Sequence, residues 1–296
     1  MDLSIVIVSY NTKNFIKDCI LSIYKNTQGI KYEIIVVDNA SSDGSAGIIK
    51  KEFPDVILIA GKKNLGFSSA NNKGVRKSHG RYVLFLNPDT LIYKDSISQM
   101  LKFMDSHGEI GAATCKLLLP NGRIDDASHR GFPTPWNSFT YFLGLSKTFP
   151  SFKLFSGYNL SFLDLDRTHE IDACAGAFMI VRRKAGDDIG WWDEDYFFYG
   201  EDLEFCFRLK EKGWKIYYHP DVSVLHYKGV SGGIKKLSKQ ITTASLETKK
   251  RATDSRFDAM RIFYEKHYEK KYSKILNWLV YKAIDLKQNL ALRKLK

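Results

Sequence analysis

The sequence predicts an α/β protein with a mostly parallel sheet, helices on both of its faces, and a basic helical extension at the C-terminal end. Short, uninterrupted apolar runs alternate with amphipathic segments through the first 119 residues. Strands of this kind are buried on both faces, as they are in parallel sheets. Such sheets bind ligands at the carboxyl ends of their strands, so the polar residues after each strand are the first candidates for function.

The predicted elements of the first half follow one another at short intervals. The first strand covers residues 5–9. The helix after it is amphipathic, because apolar residues recur at i, i+1, i+4, i+5, i+8 and i+9 from Phe15. By the same reasoning we expect further strands at 33–37, 56–60, 82–86 and 110–119 and further helices at 43–53, 68–78 and 95–106.

The second half is less regular. Residues 120–169 contain four of the seven prolines, several aromatic rings and no clear period, which predicts a long excursion over the surface. We expect a strand at 173–181, an acidic, aromatic loop leading into a helix at 191–213, and an extended segment at 215–224. After residue 233 the chain is expected to be basic and helical to its end.

The net charge of +12 is concentrated at the C-terminal end. Residues 235–296 carry 17 Lys and Arg against 6 Asp and Glu, whereas residues 1–234 carry 28 against 27. Such a tail suits an anionic surface, and a membrane and RNA are the two candidates. An apolar stripe over 275–290 with Trp278 and Tyr281 beside it favours a membrane surface over a core-packing or dimer-forming helix.

The expected cellular location follows from segments that the sequence lacks. The sequence has no signal peptide and no run of about 20 apolar residues that could span a bilayer. Its four cysteines form no CxxC pair, which favours buried thiols over disulfides or a zinc site. We therefore expect a cytoplasmic protein, with peripheral contact to the inner face of the cell membrane through the tail.

Polar residues follow the first three predicted strands. Asp38 ends the second strand, where a carboxylate can accept hydrogen bonds from a nucleobase or a ribose. Gly66 follows the third strand and would let the backbone approach a ligand. Helix caps and ordinary turns are the alternative explanation. The candidate binding residues of these loops are Ser9, Tyr10, Asn11, Asp38, Asn64, Gly66 and Asn71.

The fourth strand ends in Leu86-Asn87-Pro88-Asp89. Proline ends the strand and leaves Asp89 at the ligand edge, where a carboxylate oxygen suits Mg²⁺ or Mn²⁺ bridging a diphosphate. A simple turn is the alternative, because Asn-Pro-Asp is typical of turns. His226 follows the last predicted strand, which is expected near Asp89, and is a second candidate metal ligand.

Residues 190–204 hold six carboxylates among large aromatic rings. Carboxyl groups beside apolar rings have a raised pKa, which a general base working near neutrality requires. Complementing the dipole of the following helix is the alternative, but it needs only one or two acids. The candidates are Glu201 and Asp202 for proton transfer, and Trp191, Trp192, Asp193 and Asp195 for positioning a ligand.

Together these motifs resemble those of family 2 glycosyltransferases, most closely the rhamnosyltransferase-like branch that builds bacterial surface polysaccharides. The likeness covers residues 3 to about 232. It implies a GT-A fold with a nucleotide-sugar-binding half at 1–119 and an acceptor-binding half at 120–232, followed by a basic amphipathic tail at 233–296. The motifs are Ser9-Tyr10-Asn11, residues 38–45, Asn64 to Asn71, Leu86 to Asp89, Gly176 to Arg182, residues 193–204 and His226.

The resemblance also implies residue roles. Asp38 is similar to the residue that contacts the base or the ribose of the nucleotide. Asn87 and Asp89 stand where the fold's Asp-x-Asp motif lies, with Asp89 on the metal, and His226 matches a metal ligand of some relatives. Asp202 resembles the catalytic base. Asn87 replaces the first carboxylate of the motif, which lowers the negative charge expected at the metal.

We therefore expect an inverting, metal-dependent enzyme that transfers a hexose from a nucleotide-diphosphate donor to a hydroxyl of a glycan or lipid-linked acceptor. The branch favours dTDP-rhamnose, with UDP-hexoses as the alternative. A nucleotide-sugar pyrophosphorylase or an NAD-dependent oxidoreductase would need a glycine-rich loop after the first strand, where Ser9-Tyr10-Asn11 stands. Nucleic acid is not an expected partner, because the acidic cluster around Asp202 would repel phosphate.

Overall fold

A nine-stranded sheet runs through the part of the chain that this computed structural model describes, residues 1–234, 242 and 244–295. The strands are β1 (Leu3–Ser9), β2 (Tyr32–Asp38), β3 (Ile57–Ala60), β4 (Tyr82–Leu86), β5 (Thr90–Ile92), β6 (Ile110–Leu118), β7 (His169–Glu170), β8 (Phe178–Arg182) and β9 (Lys215–His226). The helices of these residues are α1 (Lys13–Asn26), α2 (Ser45–Glu52), α3 (Phe67–Val75), α4 (Ser96–Ser106), α5 (Pro135–Phe142), α6 (Leu145–Thr148), α7 (Arg183–Ile189), α8 (Glu201–Glu211), α9 (Leu246–His267) and α10 (Lys274–Arg293).

The strand order is β3-β2-β1-β4-β8-β6-β9-β5, with β7 paired to β9. Strands β1 to β4 are parallel neighbours, and β6 and β9 are parallel to each other. Strand β8 runs antiparallel between β4 and β6, and β5 and β7 run antiparallel to β9. Six strands therefore point one way and three the other, which confirms the mostly parallel sheet.

The register of the strands brings the candidate loops to one edge. Ser9 at the end of β1 pairs with Asp38 at the end of β2, and Leu86 at the end of β4 pairs with Ile7. On the far side of the sheet, Thr90 of β5 pairs with His226 of β9. Because Thr90 directly follows Asp89, this pairing sets Asp89 beside the histidine.

Both faces of the sheet are covered by helices. Along β1, Ile5 and Ile7 pack in one core with α1, α2 and α4, whereas Val6 packs in the opposite core with α7, α8 and α9. Side chains alternate between the two faces of a strand, so each strand contributes to both cores. The predicted covering of the sheet by helices on both faces is confirmed.

The predicted elements of the first half agree with the structure within a few residues. Several features were not predicted: the short strands β5 and β7, two helices within the excursion at 120–169, the short helix α7, and the late start of β8, which begins at Phe178 rather than at 173. Strand β9 extends to His226, two residues beyond the prediction. The excursion lacks apolar periodicity, so its helices left no clear signal.

The predicted basic tail contains α9 and α10, while residues 235–241, 243 and 296 lie outside the described part. Helix α9 packs its buried Ala259, Phe263 and Tyr264 into the core that holds α8. Core packing was the alternative for the stripe at 275–290, which lies on α10, so the packing of α9 does not decide between the two. Within the described ranges, no helix is both long and apolar enough to cross a membrane. The domain boundary at 232/233 stays a prediction.

Candidate active site

A cleft of about 540 Å³ lies at the carboxyl edge of the strands. This volume suits a small-molecule ligand. Loops from both halves of the chain line it, together with the start of α9. Of the predicted residues, the cleft brings together Tyr10, Asn11, Asn64, Gly66, Asn87 and Asp89.

Neutral amide side chains fix the loops after β1, β2 and β3. Asn39 donates to Asn64 Oδ1 at 2.9 Å and to the Gly66 carbonyl at 3.0 Å, and its own carbonyl accepts from the backbone N–H of Leu65 at 2.9 Å. The Asn11 amide oxygen accepts from the backbone N–H of Ser42 at 2.8 Å. These bonds hold one wall of the cleft without any ionised group.

Gly66 lets two distant segments touch. Its φ of 85° is in the left-handed region, and a Cβ there would lie 2.5 Å from the carbonyl oxygen of Phe197. Beside it, the backbone N–H of Phe67 donates to that same oxygen at 2.7 Å. A side chain at position 66 would therefore push the 197–199 segment away from the cleft.

Three predicted binding residues lie beneath the cleft rather than along it. Ser9 is fully buried, with its hydroxyl 2.9 Å from that of Thr12. Asn71 donates to the Phe67 carbonyl at 3.0 Å within α3. Asp38 is 2% exposed: one carboxylate oxygen accepts from Ser41, and the other is buried without a hydrogen-bond partner. The side chains of Ser9 and Asn71 therefore bind neighbouring residues of the protein instead of facing the cleft.

Asp89 begins a chain of buried charged groups. His226 Nε2 lies 3.4 Å from Asp89 Oδ1, and His226 Nδ1 lies 3.1 Å from Asp125 Oδ2. Lys228 donates to the other oxygen of Asp125. Asp125 also accepts from the backbone N–H of Ala127 at 2.9 Å, so a fully buried carboxylate is satisfied on both oxygens.

The charges of this chain shift one another's pKa. Burial by itself would lower the pKa of His226, but the carboxylates of Asp89 and Asp125 outweigh burial and raise it to about 9. Burial would raise the pKa of Asp125, yet the hydrogen bond from His226 and the charge of Lys228 lower it well below its ordinary value. The two carboxylates therefore favour the protonated imidazole, and a metal ion at Nε2 would take the place of one of its two ring protons.

Asp89 and His226 fit as two ligands of a divalent metal ion. Apart from the nearby carboxylate, the buried Nε2 of His226 has no hydrogen-bond partner, and a nitrogen and an oxygen ligand suit Mn²⁺. No group of three or more metal-binding side chains occurs among residues 1–234, 242 and 244–295. Further ligands would have to come from a bound diphosphate and from water.

The acidic pair lies at the start of α8. Arg130 donates to Asp202 Oδ2 at 2.5 Å, and both side chains are largely buried. The other oxygen of Asp202 accepts from the backbone N–H of Leu203 at 2.8 Å. Burial, followed by the charge of Asp202, raises the pKa of Glu201 to about 8. One oxygen of Glu201 is buried without a partner.

Tyr199 precedes the acidic pair by two residues. Burial raises the pKa of its hydroxyl, and the charges of Glu201 and Asp89 both contribute in the same direction. Phe197 and Phe198, which lead into the acidic pair, line the cleft, whereas Glu201 and Asp202 do not. The hydroxyl also lies against Gly232, a residue of the cleft lining, where a Cβ would come within 2.8 Å.

The residues predicted to position the acceptor lie elsewhere. Trp192 is 2% exposed and packs edge-on against Phe85 in the core, so it has no face for stacking on a sugar. Trp191 packs against Gly186 and donates to Asp187 at 2.8 Å. The prediction of stacking faces is wrong for Trp192, and neither ring lines the cleft.

The two aspartates between these rings and α8 bind a lysine. Lys266 of α9 lies 2.6 Å from Asp193 and 2.6 Å from Asp195. Neither carboxylate lines the cleft. The two ion pairs anchor α9 to the loop before α8, and the role of these aspartates in positioning acceptor and sugar stays a prediction.

Helix α9 forms another wall of the cleft. Ser245, Thr248 and Arg251 line it, and the guanidinium carbon of Arg251 lies 3.9 Å from the centroid of the Phe197 ring. Among the cleft-lining residues that the structure describes, Arg251 is the one Lys or Arg. An anionic ligand would therefore meet a single side-chain cation on this wall.

Five residues of the site were missed from the sequence. Asn39 directly follows Asp38 at a strand end and could have been found by the same rule. Asp125 and Arg130 lie in the excursion, where nothing in the pattern marks them. The five are Asn39, Asp125, Arg130, Lys228 and Arg251.

Comparison with known proteins identifies the family. The chain belongs to glycosyl transferase family 2, whose model matches residues 4–190. It is 29% identical over 232 residues to rhamnosyltransferase WbbL of Escherichia coli (strain K12), covering 75% of this chain and 82% of that protein. It is 28% identical over 233 residues to the low-salt glycan biosynthesis hexosyltransferase Agl10 of Haloferax volcanii, covering 77% and 68%. The chain is thus a glycosyltransferase.

One solved structure has a similar fold. The mannosyltransferase PcManGT of Pyrobaculum calidifontis, in complex with GDP-Man and Mn²⁺, superposes with a TM-score of 0.59 at 16% identity, over 99% of this chain and 72% of that one. The likeness confirms the GT-A fold.

Proposed function

We propose that this glycosyltransferase inverts the configuration of a hexose as it moves it from a nucleotide-diphosphate donor to an acceptor hydroxyl. The observation that carries the proposal is the cleft, where Asn87 and Asp89 meet Phe197 and Phe198, the segment that leads into Glu201 and Asp202. A donor diphosphate at Asp89 would then present its sugar toward Asp202. A single displacement needs no enzyme nucleophile.

Asp202 is the proposed general base. Its carboxylate accepts the proton of the acceptor hydroxyl while that oxygen bonds to the anomeric carbon and the bond to the diphosphate breaks. Arg130 and the backbone N–H of Leu203 hold the carboxylate in one orientation. Glu201, with its pKa near 8, keeps its proton at neutral pH and adds no second negative charge beside the base.

Asp89 and His226 are the proposed metal ligands. A bound Mg²⁺ or Mn²⁺ would offset the negative charge that develops on the leaving diphosphate. Asn87, which lines the same cleft, would contact the donor through its neutral amide. Mn²⁺ accompanies GDP-Man in the structurally similar mannosyltransferase, which supports a divalent ion here.

Arg251 is the proposed cation for the leaving group. Its guanidinium can donate two parallel hydrogen bonds to phosphate oxygens. The Phe197 ring beneath it restricts its movement. Asp38, with one unpartnered buried oxygen at the end of β2, is the proposed contact for the base or the ribose.

The first candidate donor is dTDP-rhamnose, supported by the likeness to a rhamnosyltransferase over most of both chains. UDP-hexoses are the alternative. A glycan or a lipid-linked glycan is the proposed acceptor. We also propose that the enzyme works at the cytoplasmic face of the membrane, contacting it peripherally through the tail.

A donor screen tests the proposal. Thermal shift is measured with dTDP-rhamnose, UDP-hexoses and GDP-mannose, each with and without Mn²⁺, and free nucleoside diphosphate and the anomeric form of the product are then followed by NMR. We expect one donor to stabilise the protein, only with metal, and to yield an inverted product. A retained configuration, or no binding of any nucleotide sugar, would overturn the proposal.

A further inference from the structure

Exposed apolar side chains are concentrated in two segments. Of the nineteen large apolar residues that are exposed in the described part of the chain, twelve lie in residues 136–154 or on α10. Contiguous exposed apolar surface of this kind marks an interaction site in most proteins. The excursion contributes Trp136, Phe139, Phe142, Leu143, Phe149, Phe152 and Leu154, and α10 contributes Ile275, Trp278, Leu279, Leu286 and Leu290.

Helix α10 has two distinct faces. Its inner face packs on α9, with Ile284 and Asn277 buried and Gln288 bonded to Arg261 and Asp254. Its exposed apolar residues recur at 275, 279, 286 and 290, a spacing that places them together on another face. Nothing in the described residues covers this outer face.

The two segments are neighbours in space. Lys287 Nζ of α10 lies 3.9 Å from the centroid of the Phe142 ring at the end of α5. Leu286 and Leu290 lie next to Lys287 on the same helix, and Leu143 follows Phe142. The excursion and α10 are thus adjacent at this contact, and we call their exposed apolar residues together the apolar face.

The charge of the apolar face selects its occupant. Residues 134–155 contain two lysines and no acid. Residues 274–295 contain five Lys and Arg and one acid, Asp285, which is paired to Arg261 at 2.8 Å. A second copy of this chain would bring an equally basic surface against it, which like charges oppose. An anionic lipid headgroup layer complements it.

We infer that residues 136–154 and α10 together dock this enzyme on an anionic lipid bilayer. The rings and leucines enter the headgroup boundary, and the lysines contact lipid phosphates. This inference deepens the proposed membrane contact. It rests on the proposed function for the premise that the acceptor is bound to a membrane. The membrane-contacting surface now includes residues 136–154, which lie outside the tail. It excludes α9, because this helix of the tail packs into the core.

Vesicle flotation of the full chain tests the inference. The vesicles are phosphatidylcholine alone or phosphatidylcholine with phosphatidylglycerol. One variant changes Phe149, Phe152 and Leu154 to serine, and a second changes Ile275, Leu279 and Leu286 to serine. A matched control changes Leu21, Ile57 and Leu246, exposed apolar residues outside the apolar face, to serine.

We expect the parent chain and the control to float with the anionic vesicles only. Each variant of the apolar face should lose binding by about tenfold or more, because several buried apolar groups are removed at once. Normal flotation of the variant that changes Phe149, Phe152 and Leu154 would refute the role of the excursion in binding the bilayer. A parent dimer in light scattering that either variant dissociates would assign the face to a second copy instead.

Nucleoside diphosphate binding, measured on the same proteins, separates this inference from the proposed function. All variants should keep it, because none of the changed residues lines the cleft. If the chain floats but binds no nucleotide, the membrane-docking inference stands and the proposed activity is refuted. If the chain binds nucleotide but does not float, the proposed activity stands and the membrane-docking inference is refuted.

Discussion

The two sides of the cleft are built differently. The side formed by the loops after β1, β2 and β3 uses neutral amides whose partners lie within about 30 residues, as in the bonds of Asn11 and Asn39. The side that holds the proposed chemistry uses buried charges paired over long distances, such as Arg130 with Asp202 and Asp125 with His226. The first is the neutral side and the second is the charged side.

This difference separates binding from turnover. A neutral amide that loses its partner costs about 1 kcal/mol, and the loop can relax toward water. A buried charge that loses its partner costs several times more, because it remains in a medium of low polarity. Substitutions on the charged side should therefore change turnover or stability, and those on the neutral side should change nucleotide affinity alone.

The largest effect is expected at the proposed base. Asp202→Asn should lower kcat by about 10² or more with little change in donor affinity, because it removes general base catalysis and keeps the shape of the side chain. Steady-state kinetics and calorimetry with the nucleoside diphosphate measure both. Asp195→Asn, whose side chain is 69% exposed, is the control and should retain activity. Near-normal turnover of Asp202→Asn would refute the assignment.

Loss of the buried carboxylate behind His226 should come next. Asp125→Asn leaves Lys228 without its counter-charge and His226 with Asp89 alone, and it should destabilise the protein by about 3 kcal/mol. Mn²⁺ affinity, measured by electron paramagnetic resonance, should fall by about tenfold or more because the imidazole loses its orienting partner. Asp126→Asn, at the exposed neighbouring position, should change neither.

A pH-dependent effect is expected at Glu201. Its carboxyl keeps its proton to about pH 8 in the folded state, whereas the unfolded chain releases it near 4.5. The folded state therefore binds more protons between these values, and stability falls as pH rises through that window. Glu201→Gln removes this loss, so its stability should exceed that of the parent by a margin that grows as pH rises from 4.5 to 8, and equal it below pH 4.5.

Thermal unfolding across this range measures the difference. Glu211→Gln, on the exposed end of the same helix, should run parallel to the parent at every pH. A constant offset between Glu201→Gln and the parent would mean that Glu201 titrates normally in the folded protein.

A smaller effect is expected where a charge faces the cleft without being buried. Arg251→Gln should weaken nucleoside diphosphate binding by about tenfold and leave nucleoside monophosphate binding nearly unchanged, because one charged hydrogen-bonding group is removed from the second phosphate. Lys250→Gln removes the same charge from the same helix outside the cleft and is the control. Equal losses for the two variants would point to a general charge effect.

The smallest effect belongs to the neutral side. Asn39→Ala removes three hydrogen bonds between the loops after β2 and β3, and it should weaken nucleotide binding by about fivefold with kcat unchanged. Titration calorimetry and saturating-donor kinetics separate the two quantities. A drop in kcat as large as that of Asp202→Asn would break the distinction between the two sides.

The sequence predicted the parts of this site that depend on local order. Apolar runs set the strands, and their register brings Asn87 and Asp89 to the ligand edge and Asp89 beside His226. The partners Asp125 and Arg130 could not be predicted, because they lie in a segment with no period and meet their partners 101 and 72 residues later.

Composition could not predict the positions of the aromatic rings near α8, because a sugar site and a protein core can contain the same residue types. Aromatic rings among carboxylates are typical of a sugar site, yet Trp192 packs with Phe85 and Phe205 in the core. The nearby Asp193 binds Lys266, a residue 73 positions away. Whether a ring or an acid faces a cleft or a neighbouring helix depends on long-range packing, which no local pattern records.

The backbone bond from Phe67 to Phe197 couples the two sides mechanically. It ties the start of α3, on the neutral side, to a residue only four positions before Glu201. A ligand that moves the 64–67 loop therefore moves the entrance to α8 with it. Changing donor preference by redesigning one of these loops would also displace the other, so the two loops must be engineered as a unit.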